Sequence, residues 1–222
     1  MDASTWELIW RNLWPMLVAT VTQTIPLTLI SFSIGLVLAL FVALARLSSI
    51  TPLSLLARGY ISLIRGTPLL VQLFIVFYGL PQFGIVMDPF PAAVVAFSLN
   101  VGGYAAEVIR AAILSIPKGQ WEAEQTIGMG YVLTLRRVIL PQAARTAVPP
   151  LSNTLISLVK DTSLASTILV TELLRVAQLA AAPTFDFFAL YGVAAVYYWV
   201  VCLILSFAQN RVEERLERYV AR

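Results

Sequence analysis

Between Arg11 and Arg46 the chain carries no charged residue at all. An α-helix needs only about 20 mostly apolar residues to cross a hydrocarbon core about 30 Å thick. The run is therefore long enough for one tilted membrane helix, roughly 15–45, and Pro26 inside it predicts a kink. Four further runs follow. The second covers 66–87, with the less apolar stretch 50–64 leading in. The third covers 89–106 and continues past Glu107 and Arg110 to about Ile116. The fourth, roughly 147–171, is interrupted by Lys160 and Asp161, and the fifth, 187–210, is uncharged throughout. Composition agrees: 59% of the 222 residues are hydrophobic and 12% are charged. A soluble domain carries about 25% charged residues. The expectation is an all-α integral membrane protein with five transmembrane helices, forming a single domain over 1–222.

An odd number of spans puts the termini on opposite sides, and the Lys/Arg bias then orients the chain. With the N-terminus outside, the inside segments hold Arg46, Arg58, Arg65, Arg110, Lys118, Arg136, Arg137, Arg145, Arg211, Arg215, Arg218 and Arg222. The outside segments hold only Arg11 and Arg175. This predicts a cytoplasmic C-terminus. The start, Met1 to Trp10, carries Asp2 and Glu7 and no basic n-region, so no cleavable signal peptide is expected.

The composition also excludes functions. A formal charge of +3, with cations punctuating apolar runs, forms no basic face for nucleic acid. Cys202 is the single cysteine and histidine is absent. The usual thiol and imidazole metal sites and nucleophile systems therefore lack their parts. No G-x-x-x-x-G-K-[ST] loop and no G-x-G-x-x-G occurs, so this chain has no visible means of binding ATP or a dinucleotide.

The largest segment assigned to the cytoplasm runs from about 117 to 146. Ile116-Pro117-Lys118-Gly119 should end the third helix, and Trp121 to Gly128 can form a short one. Pro141, Pro149 and Pro150 mark the approach to span four. From Ser206 onward span five continues as a charged helix, supported by Glu214 and Arg218 at i,i+4.

Charges inside a membrane helix cost roughly 2.5–3.5 kcal/mol on insertion scales. Lys160 and Asp161 are the strongest case. As i,i+1 neighbours they point about 100° apart, so they face either a water-filled path or a partner helix. Asn100, Tyr104 and Glu107 fall at i, i+4, i+7, one polar face on the third span. Glu107 can pair with Arg110 along its own helix, while Arg110 snorkels toward the cytoplasm. Asn153, Ser157 and Asp161 form a similar stripe on the fourth span. The two stripes either line a midplane cavity or hydrogen-bond one helix to another. Thr20, Thr24, Thr28 and Ser31 read as a helix-packing stripe, since small hydroxyl residues build membrane helix interfaces. Tyr191, Tyr197, Tyr198 and Trp199 read as packing and interfacial anchors, and Cys202 as a small core residue.

Gly119-Gln120-Trp121-Glu122-Ala123-Glu124, then Gly128, then Val138-Ile139-Leu140-Pro141 resembles the EAA loop of ATP-binding-cassette importer membrane subunits. The spacing matches throughout. Glu124 replaces the second Ala of that pattern and Val138 stands for Ile. Arg65-Gly66-Thr67-Pro68-Leu69-Leu70-Val71-Gln72 and Lys160-Asp161-Thr162-Ser163-Leu164 resemble two signatures of the five-span permeases for polar amino acids. Among these the chain resembles the L-cystine permeases, through Tyr78 to Ile85, Asp88-Pro89, Leu140 to Arg145 and Pro149 to Asn153.

The resemblance implies a subunit of the bacterial cytoplasmic (inner) membrane, working with a second permease subunit, two cytoplasmic ATP-binding subunits and an extracytoplasmic amino-acid-binding protein. ATP and Mg belong to the ATPase, with no cofactor and no metal on this chain. Trp121, Glu122, Ala123, Glu124 and Gly128 would form the coupling helix set into the ATPase. The competing reading, an amphipathic helix on the membrane surface, sits badly with Glu122 and Glu124 against an anionic leaflet. Gln72, Asn100, Tyr104, Glu107, Lys160 and Asp161 form the candidate substrate path. There Asp161 or Glu107 would accept an amino acid's ammonium, and Lys160, Asn100 or Tyr104 would donate to its carboxylate. A stand-alone secondary transporter or channel, driven by an ion gradient through Glu107, Lys160 and Asp161, is the alternative.

Overall fold

The computed structural model describes residues 3–126 and 128–217, and among them every regular element is helical. Helices α1 (Ala3–Ala19) and α2 (Ile25–Leu47) are joined by a π-helical turn over Thr20–Thr24 into one continuous rod. Then come α3 (Thr51–Gly66), α4 (Leu69–Phe74), α5 (Pro89–Leu114), α6 (Lys118–Thr126), α7 (Tyr131–Thr134), α8 (Leu140–Asp161), α9 (Leu173–Ala181) and α10 (Phe187–Glu217). Three helices are long and apolar enough to cross a membrane: Ser4–Leu47, Pro89–Leu114 and Phe187–Leu216. Two bent pairs raise the number to five if each is one span. Thr51–Gly66 meets Leu69–Phe83 at 107°, and Tyr131–Ile168 meets Leu173–Ala181 at 49°.

Prolines explain where the rods change pitch. A proline inside a helix has no N–H, and its ring presses on the carbonyl four residues back. Widening the preceding turn moves that carbonyl aside, which is what a π turn does. The residues before Pro26, Pro81 and Pro141 do this in the same way. The N–H of Ile25 donates to Thr20, that of Leu80 to Ile75, and that of Leu140 to Leu135, each five residues back. Pro26 therefore widens a turn of the first span without breaking the rod.

Two expectations need correction. The run assigned to the second span does not form one helix: Thr67-Pro68 separates α3 from α4, because the residue before a proline is pushed out of the helical region. The helix of the fourth span begins at Tyr131, well before 147, and Pro149 and Pro150 lie inside α8. The two prolines forgo two intrahelical donors within that rod without ending it.

The core is built on α2 against α5, the most extensive helix pair. Leu27 and Thr28 are buried, and Ser31, Gly35, Ala39 and Ala43 follow them at intervals of three or four residues, buried as well. They meet Ala92, Ala96, Phe97, Val101 and Ala105 of α5. Small residues let membrane helices approach closely. A Cβ added to Gly35 would stand 2.6 Å from Val101 Cβ, so nothing larger fits. Gly35→Val should lower the unfolding midpoint of the purified chain, with overpacking costing about 1–3 kcal/mol. Of the hydroxyl stripe, Thr20, Thr24, Thr28 and Ser31 are all buried. Thr20 and Thr28 donate to the carbonyls of Met16 and Thr24 at 2.8 Å. Opposite this core α10 turns Trp199, Leu203, Ile204 and Phe207 outward. It continues as one helix into the charged tail as far as Glu217, and Arg218 to Arg222 lie outside the described residues.

Candidate functional site

The break between α3 and α4 makes an elbow, and Gln72 holds it. One turn into α4, its Nε2 donates to the Ile64 carbonyl at 2.8 Å, the Thr67 carbonyl at 3.1 Å and Thr67 Oγ1 at 2.9 Å. Its Oε1 accepts from Asn100 Nδ2 at 3.0 Å, which ties the elbow to α5. Gln72→Leu would strand carbonyls freed by the break. A buried unsatisfied polar group costs about 1–3 kcal/mol, so the variant should melt earlier and lose the fixed rotamer of Asn100.

Beside the elbow lies a cavity of about 420 Å³. Thr67, Pro68 and Leu69 form one wall, Asn100, Val101 and Tyr104 of α5 a second, and Pro150, Asn153, Thr154, Ser157, Leu158 and Asp161 of α8 a third. Asn100 and Tyr104 of the first stripe thus face Asn153, Ser157 and Asp161 of the second across one space, with Glu107 outside it. The C-terminal part of α5, with Ala112 and Ile113, packs on Ile139, Ala143 and Ala147. The helices therefore run antiparallel, and Tyr104 and Asp161 stand toward opposite ends.

The ends differ electrostatically. Asp161 closes α8, where the carbonyl end of the helix dipole is negative. Its half-buried carboxylate accepts no hydrogen bond among the described residues. That end favours a cation. At the other, the Arg65 guanidinium lies 5.7 Å from the centre of the Tyr104 ring, within cation–π range. The cavity thus offers an acceptor and a donor region to one small dipolar molecule.

Glu107 and Lys160 stand apart from the cavity. Glu107 takes Arg110 at 2.9 Å, a pair at i,i+3. Lys160 is exposed on α8, turned away from the lining as the i,i+1 geometry requires. Asn153 also accepts from Gln209 of α10 at 3.3 Å.

In the segment between α5 and α8, α6 begins at Lys118, directly after Pro117, three residues before the expected start. Trp121 stacks on Tyr131 at 5.7 Å and 20°. Glu122 is exposed, and Gly128 has φ +80, a left-handed backbone suited to glycine. The side chains of Ala123 and Glu124 lie outside the described residues.

Residues 35–218 match the family model of the binding-protein-dependent transport system inner membrane component. The chain belongs to this family. The L-cystine transport system permease protein TcyB of Bacillus subtilis (strain 168) is 58% identical over 221 residues, covering 99% of this chain and 94% of that protein. The glutamine transport system permease protein GlnP of Escherichia coli (strain K12) is 38% identical over 214 residues, covering 96% and 97%. A solved structure described as an amino acid ABC transporter with histidines superposes with a TM-score of 0.88 at 36% identity, covering 97% of this chain and all of that one. The fold is thus that of an ABC importer permease, a membrane component of a transport system.

Sequence reasoning missed three features of this permease. Arg65 sits over Tyr104 because α3 packs directly on α5, with Ile64 against Gly103. Gln72 entered the candidate path through its motif, whereas its bonds make it a clamp. Glu172, completely buried, accepts from Tyr198 Oη at 2.6 Å and from the Arg175 N–H at 2.8 Å. Its signal was a lone acid between apolar Val170 and Leu173, just past the end assigned to span four.

Proposed function

We propose that this chain is the membrane subunit of an ATP-driven importer that carries L-cystine across the bacterial cytoplasmic membrane. The observation that carries the reading is the cavity between two facing polar stripes, in a chain 58% identical to an L-cystine permease. An α-amino acid head needs an acceptor for its ammonium and a donor for its carboxylate, and L-cystine has two such heads. Asp161 accepts the ammonium, Asn100 and Tyr104 donate to a carboxylate, and Gln72 positions Asn100. Arg65 adds positive charge at the Tyr104 end.

The chain forms one membrane domain of five spans, N-terminus outside, with each bent pair counted as one span. The Lys/Arg bias supports that orientation. Lys160, Asn153 and Ser157 are exposed on α8 at membrane depth. A cation facing lipid there is costly, so a second permease subunit or the aqueous path between two subunits covers them. Glu107, paired with Arg110, lies farther along the same route.

Two cytoplasmic ATP-binding subunits hold ATP and Mg, and an extracytoplasmic binding protein delivers the amino acid. Helix α6 docks on the ATPase, with Trp121, Glu122, Ala123, Glu124 and Gly128 forming the coupling surface. ATP drives the cycle only through its different affinity for the inward- and outward-facing states. Purifying the tagged chain from native membranes should bring down an ATP-binding subunit and a second permease copy. Cystine should be the amino acid held by the binding protein of the same system. A chain that purifies alone, free of any ATPase, would contradict the reading.

A further inference from the structure

Glu107, one turn beyond Tyr104 on α5, is a single carboxylate among three guanidiniums. Arg110 takes it at 2.9 Å, and the charges of Arg46 and Arg65 also act on it. One acid cannot neutralise three bases, so the Tyr104 end of the cavity carries excess positive charge. Arg65 is the base set against the cavity wall, 5.7 Å from the centre of a ring that lines it. Its guanidinium makes no hydrogen bond or ion pair among the described residues, and the Tyr104 hydroxyl makes none either.

The backbone that carries Arg65 is fixed on α5. Tyr60 Oη donates to the Leu99 carbonyl at 2.6 Å. Ile64 fits against Gly103 so closely that an added Cβ would stand 2.5 Å from it. A guanidinium over an aromatic face keeps all five of its donors, because the cation–π contact uses none of them. Together with the phenol hydroxyl it supplies what a carboxylate takes, a forked donor and a single one.

The spacing along α5 decides which carboxylate. Asn100 lies on the Asp161 side of Tyr104, one turn away, about 6 Å along the helix axis. Two Cα atoms joined through a disulfide stand about 5.5–6 Å apart. Cystine with one head between Asp161 and Asn100 therefore brings its other head to Tyr104 and Arg65. An amino acid with a single head leaves that end empty. We propose that Arg65 and Tyr104 form a second carboxylate subsite, which selects a two-headed amino acid over a one-headed one. The inference rests on the cavity being the substrate site, as proposed above.

The test is direct binding to the purified complex of permease and ATPase, using radiolabelled L-cystine and S-methyl-L-cysteine. The second ligand keeps one head and ends in a methyl thioether where the other half would begin. Arg65→Gln should weaken cystine binding about 10- to 100-fold, the worth of one hydrogen bond to a charged group, and S-methylcysteine binding less than about twofold. Arg65→Lys, which keeps the charge without the fork, should recover part of the cystine affinity. Asp161→Asn should weaken both ligands, because both place a head there. Equal losses for the two ligands in Arg65→Gln would overturn the subsite, as would cystine binding that this variant leaves unchanged. A parent complex that binds neither ligand, or an Asp161→Asn that weakens neither, would instead overturn the cavity itself as the substrate site.

Discussion

Asp161→Asn should leave the purified permease as stable as the parent and raise the KM for cystine uptake roughly 10- to 100-fold. A hydrogen bond to a charged group contributes about 1.5–3 kcal/mol, and the replacement keeps the shape while removing the charge that holds an ammonium. Folding has no reason to suffer. The carboxylate accepts no hydrogen bond within the described residues, so no hydrogen-bond donor is stranded. It is also costly to insert, by roughly 2.5–3.5 kcal/mol for an acid at the middle of a membrane helix. Thermal unfolding and uptake, measured on the same preparation, separate the two roles. A fall in stability with proportionate loss of uptake would make Asp161 a structural residue. Lys160→Met is the internal control. Its side chain turns away from the cavity, so it should alter the assembly of the two-subunit unit rather than KM.

Glu122→Lys and Gly128→Trp should insert normally and lose most of the substrate-stimulated ATP hydrolysis of the complex. The first reverses an exposed charge on α6, and like charges brought together at an interface cost several kcal/mol, enough for a loss of tenfold or more. The second acts through the backbone. At φ +80 a side chain costs about 1–2 kcal/mol, and no atom lies within 4 Å of an added Cβ, so the effect is on backbone conformation and not a clash. Neither residue touches the cavity or the α2–α5 core. Full ATPase stimulation in both variants would remove α6 from the coupling role.

The membrane character, the helical class and the two polar stripes were legible because each is a one-dimensional pattern. An uncharged run of 34 residues between Arg11 and Arg46 has one physical interpretation, and four-residue spacing puts Asn153, Ser157 and Asp161 on one face. Asn100 and Tyr104 do meet the second stripe at one cavity and Glu107 does not, and spacing alone could not choose between a cavity and a packed seam. What escaped was set in three dimensions. The Thr67-Pro68 break turns the chain by 107° and converts Gln72 into the clamp of an elbow, while the packing of α3 on α5 puts Arg65 over Tyr104. The signal was present, since a residue before proline resists the helical region, but the angle was not. Likewise Pro26, Pro81 and Pro141 announced irregularity, and only the hydrogen bonds identify it as a widened turn rather than an end. Glu172 shows a different limit. A lone acid reads as a surface loop residue until Tyr198, from α10, arrives to cover it.

The most direct measurement is cystine uptake into liposomes holding this permease, with and without its ATP-binding subunit and binding protein. The account predicts accumulation only when ATP and both partners are present, unchanged when a proton gradient is collapsed. Accumulation by this chain alone, driven by an ion gradient and indifferent to ATP, would contradict it.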